Sequence, residues 1–270
     1  MYLPPENRIS SGGYCRRLAF NKATFVDRKD SSEWTVQLIN PTGPELIRNM
    51  AEGLFGSLNA DLSETEIEGI EDDQLLVIQD GNVVASSPLK NVENTLLMVN
   101  SDLYTTGTKS LNEISIPDAI QELSDTVFKL DGYPEANTEK LVLTLVSRSI
   151  EQQAASSQTG TLRTSFQKLS RLDDEKGTRK VYEQLGQLTD LDTHVYGIPD
   201  WIPPSEMKLT VHPVRDGEIH NTWFVVYRNE TGTSRAMLAT KSGANTWRGY
   251  WTNNTAEIHA IDEYILQTFG

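Results

Sequence analysis

Hydrophobic and polar residues first form a regular pattern near residue 34, and the elements that they predict are short. The β-branched run at residues 34–40 predicts a strand that ends at Pro41. Asp80-Gly81 separates two apolar runs and favours a β-hairpin, because both turn positions tolerate positive φ. The predicted helices of this region cover residues 44–58 and 91–107. The apolar face of the first helix comprises Leu46 or Ile47, Met50 and Leu54.

The middle of the chain has a mainly helical pattern. Five apolar residues at spacings of four, three, four and three predict one amphipathic helix that begins near Pro117. These residues are Ile116, Ile120, Leu123, Val127 and Leu130. Residues 140–157 predict a further helix, although their apolar start also fits a buried strand. The pattern stays mainly helical over residues 161–188, whereas the acidic residues 64–73 predict a solvated connection.

The last third of the chain changes to short β-rich runs separated by turn residues. These runs lie at residues 194–200, 208–214, 222–229, 235–241 and 246–252. Residues 223–227 are apolar at every position, as expected of a strand covered on both faces. A closing helix over residues 256–269 carries one apolar stripe, formed by Ile258, Ile261, Ile265 and Phe269. The order of elements predicts an α/β fold with a mixed β-sheet, flanking helices, a strand-rich C-terminal third and a closing helix.

The charge distribution indicates a hydrated acidic body with a basic N-terminal segment. The chain has 38 acidic and 24 basic residues, for a formal net charge of −14, and a surface of that sign repels nucleic-acid phosphates. Residues 1–30 reverse the balance, with six basic and three acidic residues. We expect residues 1–33 to form a basic, irregular arm that folds back onto the acidic body. Docking of the arm to a partner or to nucleic acid is the alternative.

The sequence also limits the compartment and the chemistry. Cys15 is the single cysteine, so an internal disulfide is excluded and a reducing cytoplasm is the expected location. No apolar run approaches the roughly 20 residues that a membrane span requires. The sequence contains no phosphate-binding loop, nucleophile elbow or zinc-protease motif, and we therefore expect no enzymatic activity.

Two histidines and one loop suggest where a functional site lies. His194 and His212 fall in predicted strands and are expected to approach each other across a sheet, although a zinc site would still need a carboxylate as third ligand. Tyr196 shares its side of the strand with His194. Asp200 and Trp201 follow at the C-terminal end of that strand, where ligands bind in open α/β sheets. The alternative is that Asp200 caps the turn and Trp201 covers the core.

Aromatic residues are concentrated in the strand-rich third. They include Trp201, Trp223, Trp247 and Trp251, together with Tyr196, Phe224, Tyr227 and Tyr250. A packed sheet core accounts for most of them, since aromatic side chains bury a large apolar area. An aromatic-lined pocket for a flat ligand, or an exposed partner-binding patch, is the alternative.

Six segments of the chain, taken in order, closely resemble the DICT sensory domain. They are TGTLRTSFQKLSRL (159–172), VYEQL (181–185), HVYGIPDW (194–201), LTVH (209–212), WFVVYR (223–228) and RGYWT (248–252). With the upstream blocks at residues 99–108 and 130–141, the sequence is most similar to the form found in halophilic archaea. The resemblance covers residues 34–270, and a subdivision of this region near residue 158 stays open.

The resemblance implies a sensory function. The family is named for its occurrence in diguanylate cyclases and two-component systems, where it resembles an input module beside an output domain, and no catalytic role carries over from it. Its recurrent positions correspond here to Gly160, Thr161, Phe166, Gln167, His194, Tyr196, Gly197, Pro199, Asp200, Trp223, Tyr250 and Trp251. Many relatives carry an arginine shortly before the Gly-Thr-Leu motif, whereas residues 154–159 contain none. If that arginine contacts an anionic ligand in the relatives, the interaction is lost or changed in this chain.

We therefore expect a stand-alone sensory and signal-transduction module that binds a small molecule or a partner protein and signals by protein association. The expected partner is another signalling or regulatory protein, no cofactor is assigned, and homo-oligomerisation stays open. The alternatives are a DNA-associated transcriptional regulator that uses the basic arm and the helical stretch 161–188, and an enzyme that uses His194, Asp200 and His212. The candidate ligand- or partner-binding residues are Gly160, Thr161, Arg163, Phe166, Gln167, His194, Tyr196, Asp200, Trp201, His212, Trp223, Tyr250 and Trp251.

Overall fold

The computed structural model describes residues 34–100, 116–131, 137–174, 177–188, 190–215, 217–244 and 246–270. The strands of these residues are β1 (Trp34–Ile39), β2 (Asp61–Thr65), β3 (Gln74–Gln79), β4 (Asn82–Pro88), β5 (Thr126–Asp131), β6 (Thr159–Lys168), β7 (Asp190–Ile198), β8 (Thr210–Pro213), β9 (Thr222–Arg228), β10 (Arg235–Lys241) and β11 (Thr246–Thr252). The helices are α1 (Glu45–Ser57), α2 (Leu89–Asn100), α3 (Asp118–Gln121), α4 (Asn137–Ser157), α5 (Arg171–Asp174), α6 (Thr178–Gly186) and α7 (Thr255–Phe269). The expected N-terminal arm, Cys15 and Gly107 lie outside the described residues.

The first four strands form a sheet in the order β2-β1-β3-β4, in which β1 and β2 are parallel and the other neighbours antiparallel. The predicted hairpin is confirmed, since Asp80 and Gly81 have φ of 50° and 79° between β3 and β4. In α1, Ile47 is buried and Leu46 is 69% exposed, so Ile47 belongs to the apolar face. The sequence does not predict β2, because its side chains are mostly exposed and backbone pairing with β1 defines it.

A second sheet has seven strands in the order β5-β11-β10-β9-β6-β7-β8. Its strands β6, β7 and β8 are parallel, and every other neighbouring pair is antiparallel. The five predicted β-rich runs of the last third are all strands of this sheet. The mixed α/β fold with a strand-rich C-terminal region and a closing helix is therefore confirmed.

The amphipathic helix predicted over residues 116–130 is wrong. Only Asp118–Gln121 is helical, and residues 126–131 form β5, which pairs antiparallel with β11. Asp125 has a φ of 63° and separates the two elements. The buried Phe128 lies so close to Gly249 of β11 that a Cβ at Gly249 would be 2.0 Å from its ring. Pairing with a distant strand therefore overrides a local pattern that has helical spacing.

The helical prediction for residues 161–188 is also wrong over residues 161–168, which belong to the interior strand β6. This strand pairs with β7 on one side and β9 on the other, so neighbours distant in sequence supply its hydrogen bonds. Gly160 adopts a φ of 99°, and a Cβ there would be 2.3 Å from the carbonyl oxygen of Arg228. Helical structure resumes at α5 and α6. The helix predicted over residues 140–157 is confirmed as α4.

Both faces of the seven-stranded sheet are covered by apolar side chains. On one face, Leu162, Val195 and Val225 join a core that includes buried residues of α1, α4, α6 and the four-stranded sheet. On the other face, Phe224 and Val226 pack against Ile258, Ile261, Ile265 and Phe269 of α7, which confirms the predicted stripe. The Asn254 side chain caps α7 by accepting hydrogen bonds from the backbone of Ala256 and Glu257. Polar side chains also lie on the face that α7 covers, at the edge of the sheet.

Candidate functional site

Three adjacent parallel strands place four polar or aromatic candidates on one sheet face. Alternation along β6, β7 and β8 directs every second side chain to the same face of the sheet. The register pairs Arg163 with His194 and Tyr196 with His212. The expected approach of the two histidines is confirmed. We call Arg163, His194, Tyr196 and His212, together with Asp262 and Arg228 described below, the open cluster.

The two histidines contact each other directly. Nδ1 of His194 and Nε2 of His212 are 2.9 Å apart, within hydrogen-bonding distance. One nitrogen must donate and the other accept, so the bond requires that at least one of the two rings is neutral. The His212 ring also stacks on Tyr196, with centroids 4.2 Å apart and planes inclined by 6°. The strand positions and the stacking together fix the orientation of both imidazoles.

The surroundings of the histidines favour their neutral forms. Burial and then the Arg163 guanidinium lower the pKa of His194 from 6.5 to about 4, with a further contribution from His212. Asp192 and Asp262 act in the opposite direction on His194, but with smaller effects. Burial and then Arg163 also lower the pKa of His212. At neutral pH the site therefore presents uncharged imidazoles beside a cation.

A buried carboxylate on the closing helix connects the strands to α7. Nε of Arg163 donates to Oδ1 of Asp262 at 2.7 Å, and Nη1 of Arg228 donates to Oδ2 at 2.5 Å. The Asp262 side chain is 1% exposed, and the side chains of Arg163 and Arg228 are 12% and 30% exposed. Removing one partner of such a pair leaves a poorly solvated charge, so the bridge ties α7 to β6 and β9.

Tyr196 completes the contacts of Arg163. Nη1 of Arg163 donates to the Tyr196 hydroxyl oxygen at 3.2 Å. Burial raises the pKa of Tyr196, and Arg163 acts against that rise. The phenol therefore keeps its proton at neutral pH, and its hydroxyl group can donate to a neighbouring acceptor.

The sequence does not single out Arg228 or Asp262 as site residues. Asp262 does carry a signal, since it lies four residues after Ile258 and three before Ile265, within the apolar stripe of α7. An acidic residue at such a position is expected to have a buried cationic partner. Arg228 ends β9 beside Thr161 of β6, and the packing of α7 on this face of the sheet brings Asp262 to it.

The aromatic candidates divide between the two faces and serve the core. Trp251 is buried on the face opposite the open cluster, where its Nε1 donates to the backbone oxygen of Leu123 at 2.7 Å. Phe166 and Trp223 pack against the same core, and Phe166 contacts Tyr182 edge to face. Tyr250 lies beneath α7 and donates to Glu257. These contacts favour the interpretation of a packed sheet core over that of an aromatic-lined pocket.

The remaining candidates stabilise the ends of β6 and β7. Asp200 accepts hydrogen bonds from the backbone N–H and hydroxyl of Ser170 at 2.9 and 2.8 Å. Burial raises the pKa of Asp200, but these bonds outweigh it, so the pKa is lowered overall. Gln167 accepts from Arg171, and Trp201 is half-buried against the core. Thr161 and Gly160 belong to the start of β6, where Gly160 adopts positive φ. The geometry thus favours the capping interpretation of Asp200.

The basic helical stretch postulated for nucleic-acid binding at residues 161–188 is not continuous. Arg163 lies on a strand and is paired with Asp262. Arg179 lies on α6 and is paired with Asp173 and Glu183. The expected helix is interrupted because its first part forms the strand β6. The basic arm at residues 1–33 lies outside the described residues.

A second group of charged side chains lies on the opposite face of the sheet. Arg148 donates to Glu151 at 2.5 Å and to the Thr178 hydroxyl at 2.8 Å. The Tyr182 hydroxyl donates to the other Glu151 oxygen at 2.7 Å. All four side chains are buried, and they join α4 to α6. We call these four residues the closed cluster.

The described ranges also bear on metal ions and membranes. Within these ranges, no group of three or more His, Cys, Asp or Glu side chains is arranged to hold a metal ion. No helix in the same part of the chain is long and apolar enough to cross a membrane.

Comparison with known families gives a match over residues 118–241. Residues 118–241 match the family model of DICT, described as a sensory domain in diguanylate cyclases and two-component systems. The match extends from α3 to β10 and includes every strand residue of the open cluster. This result supports the family and indicates a sensory domain of signalling proteins. No curated protein matches the chain.

The solved structures that are similar to the chain include one with a low level of similarity. It is the crystal structure of polyphosphate kinase from Porphyromonas gingivalis, with 8% sequence identity and a TM-score of 0.32. The alignment covers 86% of this chain and 45% of that chain, so the chain spans less than half of the kinase. At this level of similarity the comparison carries no argument about fold or function.

Proposed function

We propose that the chain is a sensory and signal-transduction module that binds a small molecule at the open cluster and signals by association with a partner protein. The family match over residues 118–241 supports the sensory part of the proposal. The partner is another signalling or regulatory protein. The proposal includes a cytoplasmic location, membership in the form of the family found in halophilic archaea, and no enzymatic activity.

The observation that carries the ligand-binding part is the incomplete burial of the two histidines of the open cluster, since Tyr196 and Asp262 are buried. Its two imidazoles are half-buried, and their mutual bond uses one nitrogen of each ring. Nε2 of His194 and Nδ1 of His212 have no hydrogen-bond partner among the described residues. A few precisely placed polar groups that fix the orientation of a ligand are one feature of a small-molecule site, and the sheet holds these two rings in fixed positions.

The closing helix α7 offers a route from the site to a partner. Asp262 accepts from Arg163, and Arg163 in turn contacts Tyr196 and influences both histidines. A ligand that redirects the Arg163 guanidinium would weaken one of the two bridges that attach α7. A change in the docking of one helix is a recurrent way in which a local event alters a binding surface.

Native mass spectrometry of the full chain tests the proposal. Purified protein is incubated with a small-molecule extract of the cells that produce it and then desalted. We expect an adduct of defined mass on the wild type and its loss in His212→Gln. Glu183→Gln, which alters an exposed residue of α6, serves as the control and should retain the adduct. Equal adducts on all three proteins, or none on the wild type, would contradict the proposed site.

A further inference from the structure

The ligand class of the open cluster follows from its charges and donors, and this inference rests on the proposed function. We infer that the ligand carries a carboxylate or phosphate group, that Arg163 and the two imidazoles bind this group, and that binding is accompanied by proton uptake. The ligand of the open cluster then has a defined chemical class, and its binding depends on pH.

The electrostatic field that Arg163 creates at the two histidines favours an anion. Burial lowers the pKa of both histidines most, and Arg163 lowers it further; on His194 the effect of Arg163 exceeds that of either Asp192 or Asp262. A field that disfavours a proton on an imidazole also disfavours a metal cation and favours an anion. The field of Arg163 therefore favours a negatively charged ligand group, although the whole chain has a net charge of −14.

The open cluster also has N–H groups that can donate hydrogen bonds to a ligand. The bonds of Arg163 to Asp262 and Tyr196 use Nε and Nη1, and its Nη2 has no partner among the described residues. Each neutral imidazole contributes one N–H, and the hydrogen bond between the rings uses only one of the two. A guanidinium N–H and an adjacent imidazole N–H can both donate to the oxygens of one carboxylate or phosphate group.

Asp262 would keep a cationic partner if Arg163 turned towards a ligand. If Arg163 turns towards a ligand, Arg228 still donates to Oδ2 of Asp262 at 2.5 Å. A buried carboxylate with a single arginine would resist this exchange, because an uncompensated charge at 1% exposure is costly. Two arginines on one aspartate therefore allow one of them to change partner.

The pH dependence follows from linkage. A bound anion stabilises the protonated imidazoles, so it raises the pKa values that Arg163 and burial hold low. The complex then binds more protons than the free protein at pH values between the free and the bound pKa. The affinity for the anion must consequently rise as the pH falls through that interval. Tyr196 keeps its proton in this range, so the effect belongs to the histidines.

Histidine NMR on the full chain tests the inference. The ring resonances of isotopically labelled His194, His212, His220 and His259 are followed from about pH 8 to about pH 4 in sodium chloride, sodium phosphate or sodium succinate at equal ionic strength. We expect phosphate or succinate to raise the titration midpoints of His194 and His212 by about one pH unit. His220 and His259 should give the same curves in all three salts. A stronger response to phosphate or to succinate identifies the anionic group.

Matched variants separate binding at Arg163 from other effects. Arg163→Gln should abolish the response to the anion, whereas Arg228→Gln removes the other guanidinium from Asp262 and should retain it. Because Arg163→Gln affects a partly buried pair, Arg163→Lys provides a second variant that keeps the charge and should retain part of the response. A response that persists in Arg163→Gln would overturn the inference, and so would identical curves in all three salts.

The result also distinguishes the inference from the proposed function. If neither phosphate nor succinate acts on the histidines, but an adduct binds the wild type and is lost in His212→Gln, the ligand class is wrong and the sensory site stands. If the adduct is absent as well, both the ligand class and the site are wrong.

Discussion

The two faces of the seven-stranded sheet each carry an arginine–carboxylate group, and the two groups differ in how completely they are enclosed. In the closed cluster, Glu151 receives hydrogen bonds from Arg148 and Tyr182, and all these side chains are buried. In the open cluster, the buried Asp262 is bridged to arginines that reach the surface, next to two half-buried histidines. An arginine–carboxylate group therefore occurs once among fully buried side chains and once beside side chains that reach the surface.

The difference indicates which group stabilises the fold and which is available to a ligand. A buried ion pair with both partners satisfied resists any change of partner, since each charge would be left in a medium of low polarity. Arginines and imidazoles at a sheet edge can exchange a protein partner for a ligand because water compensates for the intermediate state. The comparison supports a structural role for the closed cluster and is consistent with the proposed ligand-binding role of the open cluster.

Glu151→Gln should have the largest effect on stability. The substitution removes the buried carboxylate that accepts hydrogen bonds from Arg148 and Tyr182, and we expect the free energy of unfolding to fall by about 3 kcal/mol. Chemical denaturation monitored by circular dichroism measures this change. Glu183→Gln, on the exposed side of α6, should have little effect. Equal losses in the two variants would show that the closed cluster is not a special source of stability.

Asp262→Asn should have a smaller but substantial effect. It removes the carboxylate that Arg163 and Arg228 share, but both guanidinium groups can reach water, so we expect a loss of about 2 kcal/mol. The same denaturation experiment applies, with the exposed neighbour substitution Glu263→Gln as the control. A loss as large as that of Glu151→Gln would remove the distinction between the clusters.

Lowering the pH should destabilise the protein through the open cluster. The folded chain holds the pKa of His194 at about 4, against 6.5 in the unfolded chain, so the unfolded state binds more protons between these values. The stability contributed by the neutral histidine is therefore lost as the pH falls from about 6.5 to about 4. Because His194 is half exposed, we expect a loss of about 1 kcal/mol. Thermal unfolding across this range should show a smaller dependence in His194→Gln than in the wild type, and an unchanged dependence in the exposed control His220→Gln.

Asp200→Asn should have the smallest effect and sharpens the boundary of the open cluster. Asparagine can still accept a hydrogen bond from Ser170, so we expect a loss of a few tenths of a kcal/mol and an unchanged adduct by native mass spectrometry. Loss of the adduct with an unchanged melting temperature would instead extend the binding site to this loop.

Sequence patterns predict the elements whose stability depends on their own apolar side chains. The stripe of α7 and the apolar run of β9 are examples, and both are buried as expected. The patterns fail where distant strands determine the structure, as in β5 and β6, because helical spacing and strand pairing compete for the same residues. The site shows the same division. Period-two alternation places His194 beside Tyr196, whereas the contacts of Asp262 with Arg163 and Arg228 depend on packing of α7 that the sequence does not reveal.

Amide hydrogen exchange tests the central claim that a ligand at the open cluster acts on α7 while the closed cluster remains structural. Exchange is measured for α7 (Thr255–Phe269) and α4 (Asn137–Ser157) in the full chain, with and without the small-molecule extract. The account predicts that the extract changes the protection of α7 in the wild type, that the change is absent in His212→Gln, and that α4 is unaffected. Equal changes in both helices, or a change confined to α4, would contradict it.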